Sequence, residues 1–172
     1  MKLTIDIDCT PQEARTFLGL PDLGPAQQAA MDAMAERMRE AVAEMGALGF
    51  LGMLVPEDWD GSGASHVDYV AVIEEVSAAD GGIGGLISVQ NSVVCLPLLQ
   101  FGSEEQKERW LKPLARGEML GGFCLTEPHA GSDASNLKTR ARRDGNHWVI
   151  DGTKQFITQG AEADVVIVFA AT

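Results

Sequence analysis

The sequence predicts an α+β fold: a helical bundle domain to about residue 116, followed by an antiparallel β domain that is incomplete where the chain stops. Three observations predict it. Apolar residues recur at spacings of three and four in Met31, Met34, Met38, Val42 and Met45, and again in Val67, Val70, Ile73 and Val76. From Gly117 these helical seams give way to extended runs and turns. Asp144-Gly145 then separates two extended runs, a strong short-range signal for a β-hairpin.

The composition bounds what such a fold can do. With 172 residues, 45% of them hydrophobic, the chain can bury one core or one and a half domains. A net charge of −12 opposes nucleic acid or an anionic membrane as partner. Local phosphate binding stays open. Cys9, Cys95 and Cys124 are odd in number and lie in apolar surroundings, so they read as reduced thiols of a cytoplasmic protein. The first residues carry acids where a signal peptide needs an apolar run, and no stretch reads as a membrane span.

Residues 1–44 read as an atypical segment. Leu3, Ile5 and Ile7 alternate with polar neighbours, the period of a short strand. Thr10-Pro11-Gln12-Glu13 is a helix start, with Thr as cap and Pro at the first position. Pro25 begins another helix, whose methionine seam reads as core, although methionines also suit a permissive partner surface. Residues 45–116 form the helical domain. Leu48, Phe50, Leu51 and Met53 predict a helix ending before Val55-Pro56, and residues 60–63 a loop. Residues 66–79 predict a helix on which the adjacent Glu74 and Glu75 diverge, so they read as solvated rather than as an acid–base pair. Gly81-Gly82-Ile83-Gly84-Gly85 lacks dinucleotide-loop spacing and reads as an interhelix turn. Residues 86–100 are the most buried-looking helix, with Gln90 and Asn91 in its polar patch. Ser103 to Gln106 is a capping box for a helix ending at Lys112-Pro113.

Residues 117–172 form the partial β domain and hold the candidate site. A short apolar run, Phe123-Cys124-Leu125, passes into Thr126-Glu127-Pro128-His129-Ala130-Gly131-Ser132-Asp133, a strand entering a tight loop. The run Lys154-Gln155-Phe156-Ile157-Thr158 follows the hairpin, and residues 164–171 read as a final strand. Backbone amides, the hydroxyls of Thr126, Ser132 and Thr158, and the ring of Phe156 together suit a flat heteroaromatic ligand with phosphates. An ordinary sheet with polar turns accounts for the same residues.

FCLTEPHAGSD at residues 123–133, followed by GTKQFIT at residues 152–158, closely resembles the middle domain of the acyl-CoA dehydrogenase family. The resemblance reaches upstream to about Gly46 through Gly49-Phe50-Leu51-Gly52-Met53, Val55-Pro56-Glu57 and Phe101-Gly102-Ser103-Glu104-Glu105-Gln106-Lys107. Residues 1–44, above all the stretch from Asp8 to Asp22 (DCTPQEARTFLGLPD), instead resemble a small uncharacterised bacterial family, which suggests a fusion joined near Met45, with a divergent N-terminus as the plain alternative. The dehydrogenase resemblance implies FAD-dependent desaturation of acyl-CoA thioesters between the α and β carbons. It implies that Phe123, Cys124, Leu125, Thr126, Glu127, Pro128, His129, Ala130, Gly131 and Ser132 wrap the flavin. Thr126 would donate to the pyrimidine side of the ring, where hydrogen bonds favour the anionic reduced flavin. Ser132 would lie near the FAD phosphates and the pantetheine arm of the substrate, and Phe156, Ile157 and Thr158 against the ring. Most members have Trp at the place of Phe156. Gln90 or Asn91 would face substrate, although internal hydrogen bonding accounts for them equally well.

The same resemblance implies that the catalytic glutamate belongs to a C-terminal four-helix domain, expected to be absent here, so no catalytic residue is assigned. The expectation is an acyl-CoA dehydrogenase that is incomplete as given. A split enzyme completed by a second subunit, and a non-catalytic adaptor, are the alternatives. Family resemblance further implies an electron-transfer flavoprotein as acceptor and an oligomer when complete.

Overall fold

A computed structural model describes residues 24–172, so the expected strand near Leu3, the helix from Thr10 and Cys9 lie outside the described residues. The chain divides into two compact units, residues 1–41 and 42–172. Helix α1 is Gly24–Ala47. In the first unit its Met31, Met34 and Met38 are 66%, 68% and 50% exposed, which corrects their assignment to a core. Spacing shows only that side chains share a face, not that anything covers it.

In the second unit Val42 is buried with Leu51, Leu86 and Ile87, and Met45 packs against them. A single 3₁₀ turn, Phe50–Gly52, replaces the helix expected over residues 48–53, and a second, Glu57–Trp59, follows Pro56. Gly49 enters the first turn at φ 80°, a conformation that breaks an α-helix.

Helix α2, His66–Ala79, starts at Ser65, whose side chain forms a capping box with Asp68. Its inward residues are Tyr69, Val72 and Ile73, packed around Met53 and Leu54, and Val76. Val67 and Val70 face outward, so half of the expected seam is wrong. Helix α3 is Gly81–Phe101. The glycine run therefore opens a helix rather than forming a turn. Asp80 explains this: its carboxylate accepts the Gly82 and Ile83 amides at 2.8 and 3.0 Å, supplying the cap the glycines need. Gly84 also lets α2 and α3 approach, since an added Cβ would lie 2.0 Å from Ser77 Oγ.

By length and composition α3 could cross a membrane, contrary to the sequence expectation. Leu86, Ile87, Val94, Cys95 and Leu98 on it are core residues of this domain, which accounts for its apolar character. Helix α4, residues 104–115, begins at the expected Ser103–Gln106 capping box but runs past Pro113 to Ala115. Both α3 and α4 carry an internal proline just after a π-helical stretch, Val89–Cys95 before Pro97 and Lys107–Leu111 before Pro113. Proline lacks an amide and crowds the carbonyl four residues back, and the wider π turn accommodates both. Val55, Val94, Cys95, Leu98, Leu111 and Leu114 close the core between the two helices.

Strand β1, Gly121–Cys124, pairs in parallel with the last strand, Val165–Val168. Between them lies the expected hairpin, β2 (Arg140–Asp144) and β3 (His147–Asp151), antiparallel with Asp144 opposite His147. The last strand is β4. The β region thus keeps the predicted hairpin but is not antiparallel throughout, because the chain crosses over before β4 returns beside β1. Residues 154–158 are not a strand.

Gln90 and Asn91, at the middle of α3, are fully buried. Gln90 Nε2 donates to Leu114 O and Met119 O at 2.9 and 3.1 Å, and its oxygen accepts the Gly121 amide at 2.9 Å. Asn91 Nδ2 donates to Phe50 O and Ile87 O at 2.8 and 3.0 Å, and its oxygen accepts the Leu54 amide at 3.2 Å. These amides are the internal struts of the domain. Their polar atoms are spent on backbone, which corrects the expectation that either faces substrate.

Candidate functional site

The loop after β1 is built around one carboxylate. Glu127 and Ala130 exchange backbone hydrogen bonds of 2.9 and 3.1 Å across Pro128 and His129, closing a tight turn. This turns the Glu127 side chain inward, where it is 1% exposed. Its oxygens accept the Lys138 amide at 2.7 Å, the Thr139 amide at 2.9 Å and Lys154 Nζ at 2.8 Å. His129 Nε2 lies 3.1 Å away on the solvent side. Burial pushes the Glu127 carboxyl up, but the Lys154 ammonium and the amide donors outweigh it and hold it well below the usual carboxylate range. The group is an ionised structural anchor.

Lys154 binds the loop a second time, donating to Leu125 O at 2.9 Å. Gln155 adds two contacts: its amide donates to Thr126 O at 3.0 Å and its side chain to Glu127 O at 3.3 Å. Residues 125–127 are thus laced to residues 154–155. The next residue, Phe156, has φ +56° and is 87% exposed. A bulky residue in the left-handed region stores strain of about 1–2 kcal/mol, and such strain persists where surrounding bonds over-determine the backbone. Here those bonds are the ones just described. The result is an open phenyl face presented next to the Thr126 loop.

Among the described residues, neither the Thr126 amide nor its hydroxyl has a hydrogen-bond partner. Ser132, exposed on the outgoing loop, likewise keeps its hydroxyl unpaired among them. Gly131 borders open space. Phe123 instead packs edge-on against Phe169, ring centroids 5.1 Å apart, so it supports the strand. Cys124 is half-buried, and burial raises its thiol while Lys154 partly offsets this. Leu125 and Ile157 are half-buried, Ala130 is buried, and Pro128, His129 and Thr158 are exposed. The structure therefore gathers Leu125, Thr126, Glu127 and the residues about Phe156 at one place and leaves Gln90 and Asn91 in the core. Lys154 and Gln155 were missed as site builders. Their signal was a cation and an amide placed directly before Phe156 and Ile157.

The profile described as the acyl-CoA dehydrogenase N-terminal domain matches residues 21–118, and that of the acyl-CoA dehydrogenase middle domain matches residues 122–172. The chain belongs to the acyl-CoA dehydrogenase family. The match reaches back to residue 21, further than the resemblance at Gly46, so α1 is included in the family pattern. A 3-(aryl)acrylate reductase of Clostridium sporogenes is 44% identical over 142 residues, covering 83% of this chain and 38% of the relative. The mouse mitochondrial short-chain specific acyl-CoA dehydrogenase is 44% identical over 131 residues, covering 76% and 32%. Among solved structures, a glutaryl-CoA dehydrogenase from Mycobacterium smegmatis in complex with FADH2 matches with TM-score 0.74 and 43% identity, covering 77% of this chain and 34% of that one. The chain thus spans about a third of the length of the proteins it matches.

Proposed function

We propose that this chain holds FAD and forms the flavin-binding part of an acyl-CoA dehydrogenase acting on acyl-CoA thioesters. The observation that carries this reading is Phe156: an aromatic residue in the left-handed region, 87% exposed, beside a loop whose Thr126 amide and hydroxyl are unspent. An exposed ring and donors left unused within the described residues are open to a flat ligand that carries acceptors on its edge. A flavin meets both. Phe156 would pack on its ring, and the Thr126 amide and hydroxyl would donate to its pyrimidine edge, where hydrogen bonds favour the reduced, anionic flavin. Ser132 and the Gly131 backbone would hold phosphate oxygens, with Ser132 also near the pantetheine arm. When bound, FAD supplies a hydride acceptor for α,β-desaturation.

Glu127 is not the proton-abstracting base, because its carboxylate is already spent on Lys154 and two amides. In this reading the base and part of the acyl-chain pocket would come from further chain or from a second subunit. An electron-transfer flavoprotein as acceptor, and assembly into an oligomer, complete the reading. Equilibrium titration with FAD, followed by quenching of flavin fluorescence, tests it. Saturable binding at one flavin per chain, weakened about tenfold or more by Thr126→Ala, is the expected result. Equal titration curves for the two proteins would remove Thr126 from the site.

A further inference from the structure

We infer that Glu127 is a positioning residue, which places Thr126 and Phe156 through its ion pair with Lys154; this rests on the flavin reading above. Three donors converge on a carboxylate that is 1% exposed, the Lys138 amide, the Thr139 amide and Lys154 Nζ, while His129 Nε2 lies 3.1 Å away. All three donors come from segments distant in sequence, so the carboxylate ties the incoming loop, the approach to β2 and the segment after β3 to one point. Thr126 is its neighbour in sequence, and Phe156 lies two residues beyond Lys154. Neither of those two residues hydrogen-bonds the carboxylate. Their relative placement depends on Lys154 bridging Glu127 and Leu125 O, and on the Gln155 amide reaching Thr126 O. A carboxamide at position 127 could not reproduce this arrangement, since it offers one acceptor oxygen and turns an NH₂ toward amide donors.

The test is amide hydrogen exchange by NMR on the full chain, comparing wild type with Glu127→Gln and, as a second variant, Lys154→Met. The reporter is the Gln155 amide, which is bonded to Thr126 O and not to the carboxylate. The expected result is Gln155 exchange accelerated about tenfold or more in both variants, with Val94 and Leu98 in α3 changed less than about twofold. Unchanged exchange at Gln155, or equal acceleration everywhere, overturns the inference. Where FAD binds, Glu127→Gln weakens it about tenfold and combines non-additively with Phe156→Ala. Additive effects would also overturn it. A wild-type chain that binds no FAD sinks the flavin reading alone, because the exchange result stands without ligand.

Discussion

The Gly121 amide donates to the Gln90 side-chain oxygen at 2.9 Å, so the first strand of the β region hangs from the middle of the central helix. The same side chain holds the end of α4 through Leu114 O and the following loop through Met119 O. A single buried amide therefore sets where β1, and with it the Thr126 loop, begins.

Gln90→Leu keeps the volume but leaves the buried Gly121 amide without its acceptor and takes a donor from Leu114 O and Met119 O. A buried unsatisfied group costs about 1–3 kcal/mol, so a loss of about that size is expected in denaturant unfolding. Gly121→Ala tests the same junction sterically. Its Cβ would sit 2.2 Å from Val94 Cγ1, and a loss of about 1–3 kcal/mol is expected.

Phe156→Gly separates stability from function. Glycine adopts a φ of +56° without strain, so stability is expected to hold or rise by up to about 1 kcal/mol. FAD binding falls in the same protein. Thermal melting and flavin titration on one preparation check both halves.

Acid sensitivity follows from Glu127, whose carboxyl is held below its ordinary value. A carboxyl with a depressed folded-state pKa contributes stability that is complete above its unfolded value, about 4.3, and is lost as pH falls through the folded one. Wild type should therefore melt above Glu127→Gln at pH 7, and the gap should narrow below about pH 4. Melting curves across that range check the sign.

The two described cysteines differ in access. Cys95 is fully buried, and burial pushes its thiol up to about 12. Cys124 is half-buried, its smaller rise partly offset by Lys154. Alkylation at pH 8 followed by peptide mass spectrometry should label Cys124 well before Cys95, since the thiolate is the reacting form.

Local signals were the legible ones. Asp144-Gly145 announced the hairpin, and Ser103 with Gln106 announced the start of α4, because each depends on residues a few positions apart. Gly81 to Gly85 misled, because the deciding group was the Asp80 carboxylate just before them rather than the glycines. The methionines of α1 share a helical face as expected, but periodicity carries no information on what lies opposite. At the site, the Thr-Glu-Pro and Lys-Gln-Phe segments stood out by resemblance. Their joining through Glu127 and Lys154, 27 residues apart, and the positive φ of Phe156 are tertiary facts with no local signature. Parallel pairing of β1 with β4 escaped for the same reason.

The most direct test of the flavin assignment is the ¹H–¹⁵N NMR spectrum of the chain as FAD is added. The Thr126 amide, unpaired among the described residues, should shift and broaden as the flavin edge engages it, while amides of α2, such as Ile73, stay in place. A Thr126 resonance unmoved at saturating FAD would contradict the account.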